Sequence, residues 1–284
     1  MAEAHCLRRV QGHQRRCRLK TVGVFDSGVG GLSVLRALLA ESPGVRFIYV
    51  ADSAYAPYGE RTVSEITDRS ERITAWLRQT HRIDALVVAC NTATALAIDS
   101  LRDTHPDLPI VGVEPALKPA AAMSHTRHIG VLATRGTLNS ERFARLRTQL
   151  ERTASSPVHF ICQPCDGLAD AIERDDLQTQ QALCKRYAAA LREHAPGDMD
   201  TVVLGCTHYP FAADLLAQFL GPDVTLVDTG MAVARRTRDV LGTSIENDSA
   251  AAPPRLLSTG DPTALSRAAS RWLGIQAHAE KLAV

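Results

Sequence analysis

Short runs of consecutive apolar residues alternate along this chain with longer stretches whose apolar positions recur at helical spacing. The runs at 21–25, 46–50, 85–89 and 110–113 read as buried strands, because a strand covered on both faces shows no polar alternation. Between them the pattern predicts helices at 32–39, 64–79 and 92–101, the second with apolar residues at Ile66, Ile73 and Leu77. The second half repeats the plan, with strands at 128–133, 158–162, 201–204 and 224–227 and helices at 140–150, 179–194 and 211–219. A helix at 233–241, a strand at 255–258 and a helix at 262–273 end the series, and 247–254, with small residues and a Pro-Pro pair, reads as a loop. Strand–helix alternation of this kind predicts an α/β chain with mostly parallel sheets and helices on both faces.

The halves share local words. Asp84-Ala-Leu-Val-Val-Ala-Cys90 matches Asp200-Thr-Val-Val-Leu-Gly-Cys206, and Thr-Val-Gly-Val-Phe at 21–25 resembles His-Ile-Gly-Val-Leu at 128–132, at offsets of 116 and 107 residues. Two pseudo-symmetric three-layer lobes are therefore expected, one from 21–114 with 226–284 and one from 115–225. If they face each other, the C-terminal ends of their strands meet at one cleft, where such sheets bind ligands.

The chain has 284 residues, 45% hydrophobic and 22% charged, an ordinary globular composition with room for a sizeable core. Its net charge of +1 hides an asymmetry: residues 1–20 carry six basic side chains against one acid, leaving 21–284 at a net −4. Residues 1–20 read as a basic extension outside the core pattern, and the body has no basic excess to attract nucleic acid. Seven irregularly spaced cysteines in so long a chain argue against a disulfide framework and for a reducing, cytoplasmic setting. No apolar run approaches the ~20 residues that span a bilayer, and the N-terminus lacks the apolar core of a secretory signal.

The repeated word ends on chemistry. Cys90-Asn91-Thr92 and Cys206-Thr207-His208 each stand where a buried strand gives way to a helix, a position whose backbone N–H groups favour thiolate. Either cysteine alone could be a small core residue; two at matched strand ends, each followed by polar donors, point to paired acid–base groups. With a reference thiol pKa near 8.5, one sulfur can act as base while the other acts as acid. Two such groups on opposite faces of a carbon invert its configuration, provided donors around a carboxylate stabilise the carbanionic character that develops.

Asp26-Ser-Gly-Val-Gly-Gly-Leu-Ser33 forms a glycine turn opening a helix, with Asp26 placed to hold an ammonium, to tune a cysteine, or to act as a plain helix cap. A dinucleotide fingerprint with Asp52 as ribose-binding acid fails, because Ser33 stands where the third glycine or an alanine belongs. The loop 51–59 offers Tyr58 and Gly59 as ligand contacts. Cys162-Gln-Pro-Cys165 has no second pair and no nearby histidine pair, so these thiols read as structural, and His81, His105 and His128 as surface or turn residues.

Asp26-Ser-Gly-Val-Gly-Gly, Ala-Pro-Tyr-Gly59, Ala-Cys90-Asn-Thr-Ala, Gly112-Val-Glu-Pro115, Leu-Gly-Cys206-Thr-His-Tyr-Pro210 and Thr259-Gly-Asp-Pro262 occur in an order that resembles the glutamate racemases of the aspartate/glutamate racemase superfamily, over roughly 21–275. The resemblance implies two α/β lobes with the active-site cleft between them, no pyridoxal phosphate, no metal, and Cys90 and Cys206 as acid–base thiols, Cys90 acting on D-glutamate and Cys206 on L-glutamate. It carries substrate contacts to Asp26, Ser27, Tyr58, Gly59, Asn91, Thr92, Thr207 and His208, with Asp26 assisting Cys90 and His208 assisting Cys206. A further assisting acid falls on Glu173 or Asp170. The resemblance also implies D-glutamate supply to bacterial peptidoglycan synthesis, with the substrate, a UDP-linked muramyl precursor acting through residues 1–20, and a second copy of the chain as partners, and no membrane. The same two thiols would equally serve aspartate or another amino acid, and a non-catalytic binding protein of this fold is a third reading.

Overall fold

The computed structural model describes residues 19–153, 156–195, 197–242 and 253–284. The first eighteen residues of the basic extension, and most of the expected loop at 247–254, lie outside these. Among the described residues, ten strands are β1 (Thr21–Asp26), β2 (Arg46–Ala51), β3 (Ala85–Val88), β4 (Ile110–Gly112), β5 (His128–Ala133), β6 (His159–Pro164), β7 (Thr201–Gly205), β8 (Thr225–Val227), β9 (Arg255–Ser258) and β10 (Ala279–Lys281). The α-helices among the same residues are α1 (Leu32–Glu41), α2 (Val63–His81), α3 (Asn91–Thr104), α4 (Leu117–Met123), α5 (Arg135–Leu138), α6 (Glu141–Thr153), α7 (Leu168–Glu173), α8 (Leu177–His194), α9 (Ala213–Leu220), α10 (Gly230–Leu241) and α11 (Pro262–Leu273).

Every strand pairing is parallel. One sheet runs β10-β9-β2-β1-β3-β4 and the other β6-β5-β7-β8. The segment β2-β1-β3-β4 of the first and the whole of the second thus have the same order, with β1 answering to β5 and β3 to β7. The repeated aspartates also answer to one another. Asp84 accepts the Thr21 N–H at the foot of β1 at 2.8 Å. Asp200 accepts Ser124 Oγ and the His125 and Thr126 N–H groups at 2.6, 2.7 and 3.0 Å in the turn that leads into β5.

The central strands are sealed on both faces, as their unbroken apolar runs demand: all six residues of β1 and all four of β3 are buried. One core cluster packs one face of the first sheet, another packs the opposite face, and two more sandwich the second sheet. Each such Val, Leu or Ile contributes roughly 1.5–3 kcal/mol. Local signals fix the helix ends: Thr62 and Glu65 form a reciprocal capping box at α2, and Asp261 caps α11, which opens on Pro262.

The expected boundary at 225/226 divides β8, which pairs with β7. The chain leaves the second sheet after Val227 and only then returns through α10, which packs on α1. His105 is buried, not superficial, with Arg78 at 2.9 Å and Glu71 at 3.2 Å on its two ring nitrogens.

Candidate functional site

In an open parallel sheet the crevice forms where the chain, having wound one way from a central strand, winds the other way. In the first sheet that point lies between β1 and β3, which are neighbours with Phe25 opposite Val88. Asp26 ends β1, and Ser27 and Cys90 stand two steps beyond that paired rung. The matching point of the second sheet lies between β5 and β7, where Ala133 faces Gly205 and the next step carries Thr134 and Cys206. Both thiols therefore occupy the same position in their own sheet.

Cys90 is the N-cap of α3; its sulfur receives the Ala93 N–H at 3.5 Å, and its thiol donates to Ser27 Oγ at 3.7 Å. The helix start thus acts in the expected direction, but it is outweighed. Burial, with the Asp26 carboxylate adding to it, pushes the Cys90 thiol up to about 12. The start of α3 alone therefore does not set this thiol: burial and Asp26 favour the protonated sulfur. Asp26 is itself raised to about 6 by complete burial, against the opposing pull of His208 and hydrogen bonds from the Gly28 N–H and Thr207. Those bonds measure 2.8 Å from Gly28 and 2.9 Å from Thr207 Oγ1. Asp26 is no helix cap, since α1 begins after Gly31.

Cys206 lies 3.7 Å from His208 Nδ1, and His208 Nε2 lies 2.8 Å from Glu173 Oε2. Burial alone would lower the imidazole pKa, but its hydrogen bonds to Cys206 and Glu173 carry it well above its usual range. Glu173 also accepts the Val29 N–H at 2.8 Å and Ser53 Oγ at 3.1 Å, both from the first sheet's loops. Asp170, the competing acid, forms a surface pair with Arg174 at 3.0 Å.

The glycine loop explains how the halves come so close. A Cβ on Gly30 would lie 2.5 Å from His208 Cε1, and one on Gly28 would lie 2.5 Å from Glu173 Oε1. Neither glycine has a positive φ; the sequence demands space there, not an unusual dihedral. Further ties cross the cleft: Ser33 Oγ donates to the Thr207 carbonyl at 2.8 Å, and the Thr92 and Thr134 hydroxyls are 3.0 Å apart.

Two of the expected contacts have partners within the protein. The Tyr58 hydroxyl donates to Asp52 at 2.6 Å, and Asp52 is also gripped by Arg69 and Thr259, leaving Gly59, packed by Thr134, as the free member of that pair. The Asn91 amide reaches only the Val113 carbonyl, at 3.5 Å. Sequence reasoning missed Ser53, Ser33 and Thr134. The last was visible in the internal repeat, whose 107-residue offset sets Ser27 against Thr134. Among the described residues, no cluster of three or more His, Cys, Asp or Glu side chains could hold a metal, and no helix is long and apolar enough to cross a membrane.

The model of the Asp/Glu/Hydantoin racemase family matches residues 25–237, which spans both cysteines together with Asp26, Glu173 and His208. A glutamate racemase from Pseudomonas paraeruginosa is 46% identical over 266 residues, 93% of this chain and 97% of the relative. The chain belongs to the glutamate racemases of the Asp/Glu/Hydantoin racemase family. Solved glutamate racemases share the two-lobe fold. That of Escherichia coli, in complex with L-glutamate and the activator UDP-MurNAc-ala, superposes with a TM-score of 0.81 at 33% identity, covering 94% of this chain and 99% of that one. An isoform from Bacillus anthracis gives 0.82 at 29%, covering 93% and 98%. Within this racemase, what the internal repeat suggested is a geometric fact: the two thiols sit at equivalent strand ends of two like sheets.

Proposed function

We propose that this chain interconverts L- and D-glutamate without a cofactor, with Cys206 and Cys90 as the two acid–base groups. The observation that carries the reading is the pair of thiols at matching sheet positions, each with its own hydrogen-bonding assistant, in one buried interior. In the L-to-D direction Cys206 removes the α-proton, His208 takes up positive charge beside it under Glu173, and the protonated Cys90 delivers a proton to the opposite face. Reversal exchanges the roles. Asp26 and Ser27 are assigned to the substrate ammonium and to Cys90, and Gly59, Asn91, Thr92 and Thr207 to its carboxylates. An ammonium beside Asp26 and Cys90 favours the anionic form of each, which offsets the cost of their burial. Between Glu173 and Asp170, the 2.8 Å contact with His208 supports Glu173.

The working division into lobes is 21–114 with 228–284, and 115–227, adjusted for β8. The proposed setting is the bacterial cytoplasm, with D-glutamate passing to peptidoglycan synthesis. A UDP-linked muramyl precursor is the proposed activator. A cavity of about 660 Å³ between the lobes has Arg102, Lys118, Arg142 and Arg236 on its wall against one acid, Glu114, which pairs with Arg142; this excess of basic groups supports an anionic occupant there. Its effect on the full chain, on a chain lacking residues 1–20 and on Arg236→Ala separates the cavity from the tail.

Circular dichroism of L-glutamate with the enzyme alone tests the main reading, with L-aspartate beside it. Failure to exchange the glutamate α-proton for deuterium in heavy water would overturn it.

A further inference from the structure

The His208–Glu173 pair is carried by two separate segments of the second lobe, and one helix of the first lobe touches both. Phe211 lies three residues beyond His208, in the 3-10 turn Tyr209–Ala212, and its N–H bonds back to the His208 carbonyl at 3.0 Å. Trp272 of α11 stacks on it, with ring centroids 3.8 Å apart and planes 6° from parallel. The two rings pack against the core clusters of both lobes. Asp175 lies two residues beyond Glu173, at the exit of α7, in the left-handed region with φ 58°. Arg271, the neighbour of Trp272, forms a solvent-exposed ion pair with it. Consecutive residues of α11 thus brace the two arms that bring His208 and Glu173 together, from outside the reacting centre.

We infer that Arg271 and Trp272 are positioning residues for the Cys206 half of the reaction, acting through Asp175 and Phe211 on the Glu173–His208 pair. Neither touches a reacting group. Their effect is to fix where the imidazole stands relative to Cys206, and a misplacement of about 1 Å in such a group is costly. Cys90 is held by α3, Ser27 and Asp26, none of which α11 braces in this way, so the effect falls on one face of the substrate.

This rests on the assignment of His208 to Cys206, and the test separates the two. When proton transfer at one sulfur becomes harder, the primary isotope effect rises for the enantiomer that this sulfur deprotonates and falls for the other. The ratio of isotope effects for α-deuterated L- and D-glutamate reads that balance, and only active enzyme contributes to it, so loss of folded protein leaves it unchanged. Trp272→Leu and Asp175→Asn are expected to lower kcat on the order of tenfold and to move the ratio in the direction that His208→Asn moves it. Trp272→Phe restores both. In the Trp272→Leu/His208→Asn double variant the ratio stays at the His208→Asn value, because the two changes act on one element. A fall in rate with an unmoved ratio, or an unmoved rate, overturns the role of α11. A His208→Asn enzyme with the wild-type ratio overturns the assignment of His208 itself, and this inference with it.

Discussion

Replacing Gly30 by alanine is the most local perturbation that the closed cleft allows. The added methyl would press hardest on His208 Nδ1 and stand 2.5 Å from Cε1 and 2.7 Å from Cγ, so the ring must retreat by more than about 1 Å to restore ordinary contact. It has little freedom to do so, being buried and held by Glu173 at 2.8 Å. The glycine loop is no freer, since the Gly30 carbonyl takes the Ser33 N–H at 3.0 Å and Ser33 Oγ is in turn tied to the Thr207 carbonyl. Overpacking of this kind costs about 1–3 kcal/mol of stability, and an ångström of displacement at an acid–base group costs about a hundredfold in rate. The expected outcome is a kcat lowered roughly a hundredfold with a modest fall in Tm. The assay is the circular dichroism time course of L-glutamate, with thermal unfolding in parallel. Gly274→Ala is the control: its φ of 66° penalises a side chain by about 1 kcal/mol, but nothing lies within 4 Å of the new carbon, so the rate is expected to hold. A Gly30→Ala enzyme within twofold of the wild-type kcat would refute the argument that this glycine is there for space.

Cys90→Ala and Cys206→Ala are each expected to abolish racemisation, and full activity in either would falsify the two-base assignment. Asp26 binds its proton more tightly folded, at about 6, than its ordinary 3.8, so its contribution to stability is complete below about pH 4 and is lost as pH rises through 6. Asp26→Asn should therefore gain roughly 2 kcal/mol relative to the wild type between pH 4 and 7, while racemising poorly; urea unfolding giving the same difference at both pH values sinks this. Asp200 behaves oppositely. Burial would raise it, but bonds from Ser124, Thr126, His125 and Thr201 hold it well below the carboxylate range, so its contribution is present above about pH 4 and lost below. Asp200→Asn is expected to cost roughly 2 kcal/mol at pH 7 with kcat retained, and a stable but inactive variant would contradict a purely structural role.

What the sequence revealed of this molecule follows from which interactions are local. Buried parallel strands announce themselves, because Val87 or Val203 must be apolar whatever packs on them. The repeat also made the equivalence of Cys90 and Cys206 legible before any contact was known. Short elements were not legible. Helix α4 is seven residues with Pro119 inside it, and α5 has only four residues. Strand β10 is Ala-Glu-Lys, mostly exposed, and is a strand only because β9 offers it an edge. At the site, the identities of the thiols and their assistants could be read, but their commitments could not. Nothing near Tyr58 in the chain says that its hydroxyl belongs to Asp52. Nor does 173 look closer to 208 than 170 does until α7 turns Glu173 toward the glycine loop. The upward push on the Cys90 thiol was hidden for the same reason: the helix start is a local signal, while burial and Asp26 are gathered from elsewhere in the fold.

The matching strand orders have a consequence for what the enzyme can be. In water the enantiomers of an amino acid have equal free energy, so a catalyst serving both directions needs barriers of similar height for substrates that are mirror images. No chiral protein can supply a mirror plane. A chain that repeats one half-site in a second sheet of the same strand order supplies the nearest substitute: exchanging one lobe for the other exchanges proton donor with proton acceptor. Where the copies depart, with Asp26 and Ser27 beside one sulfur and His208 and Glu173 beside the other, each half answers to the unlike groups that the two enantiomers present to it.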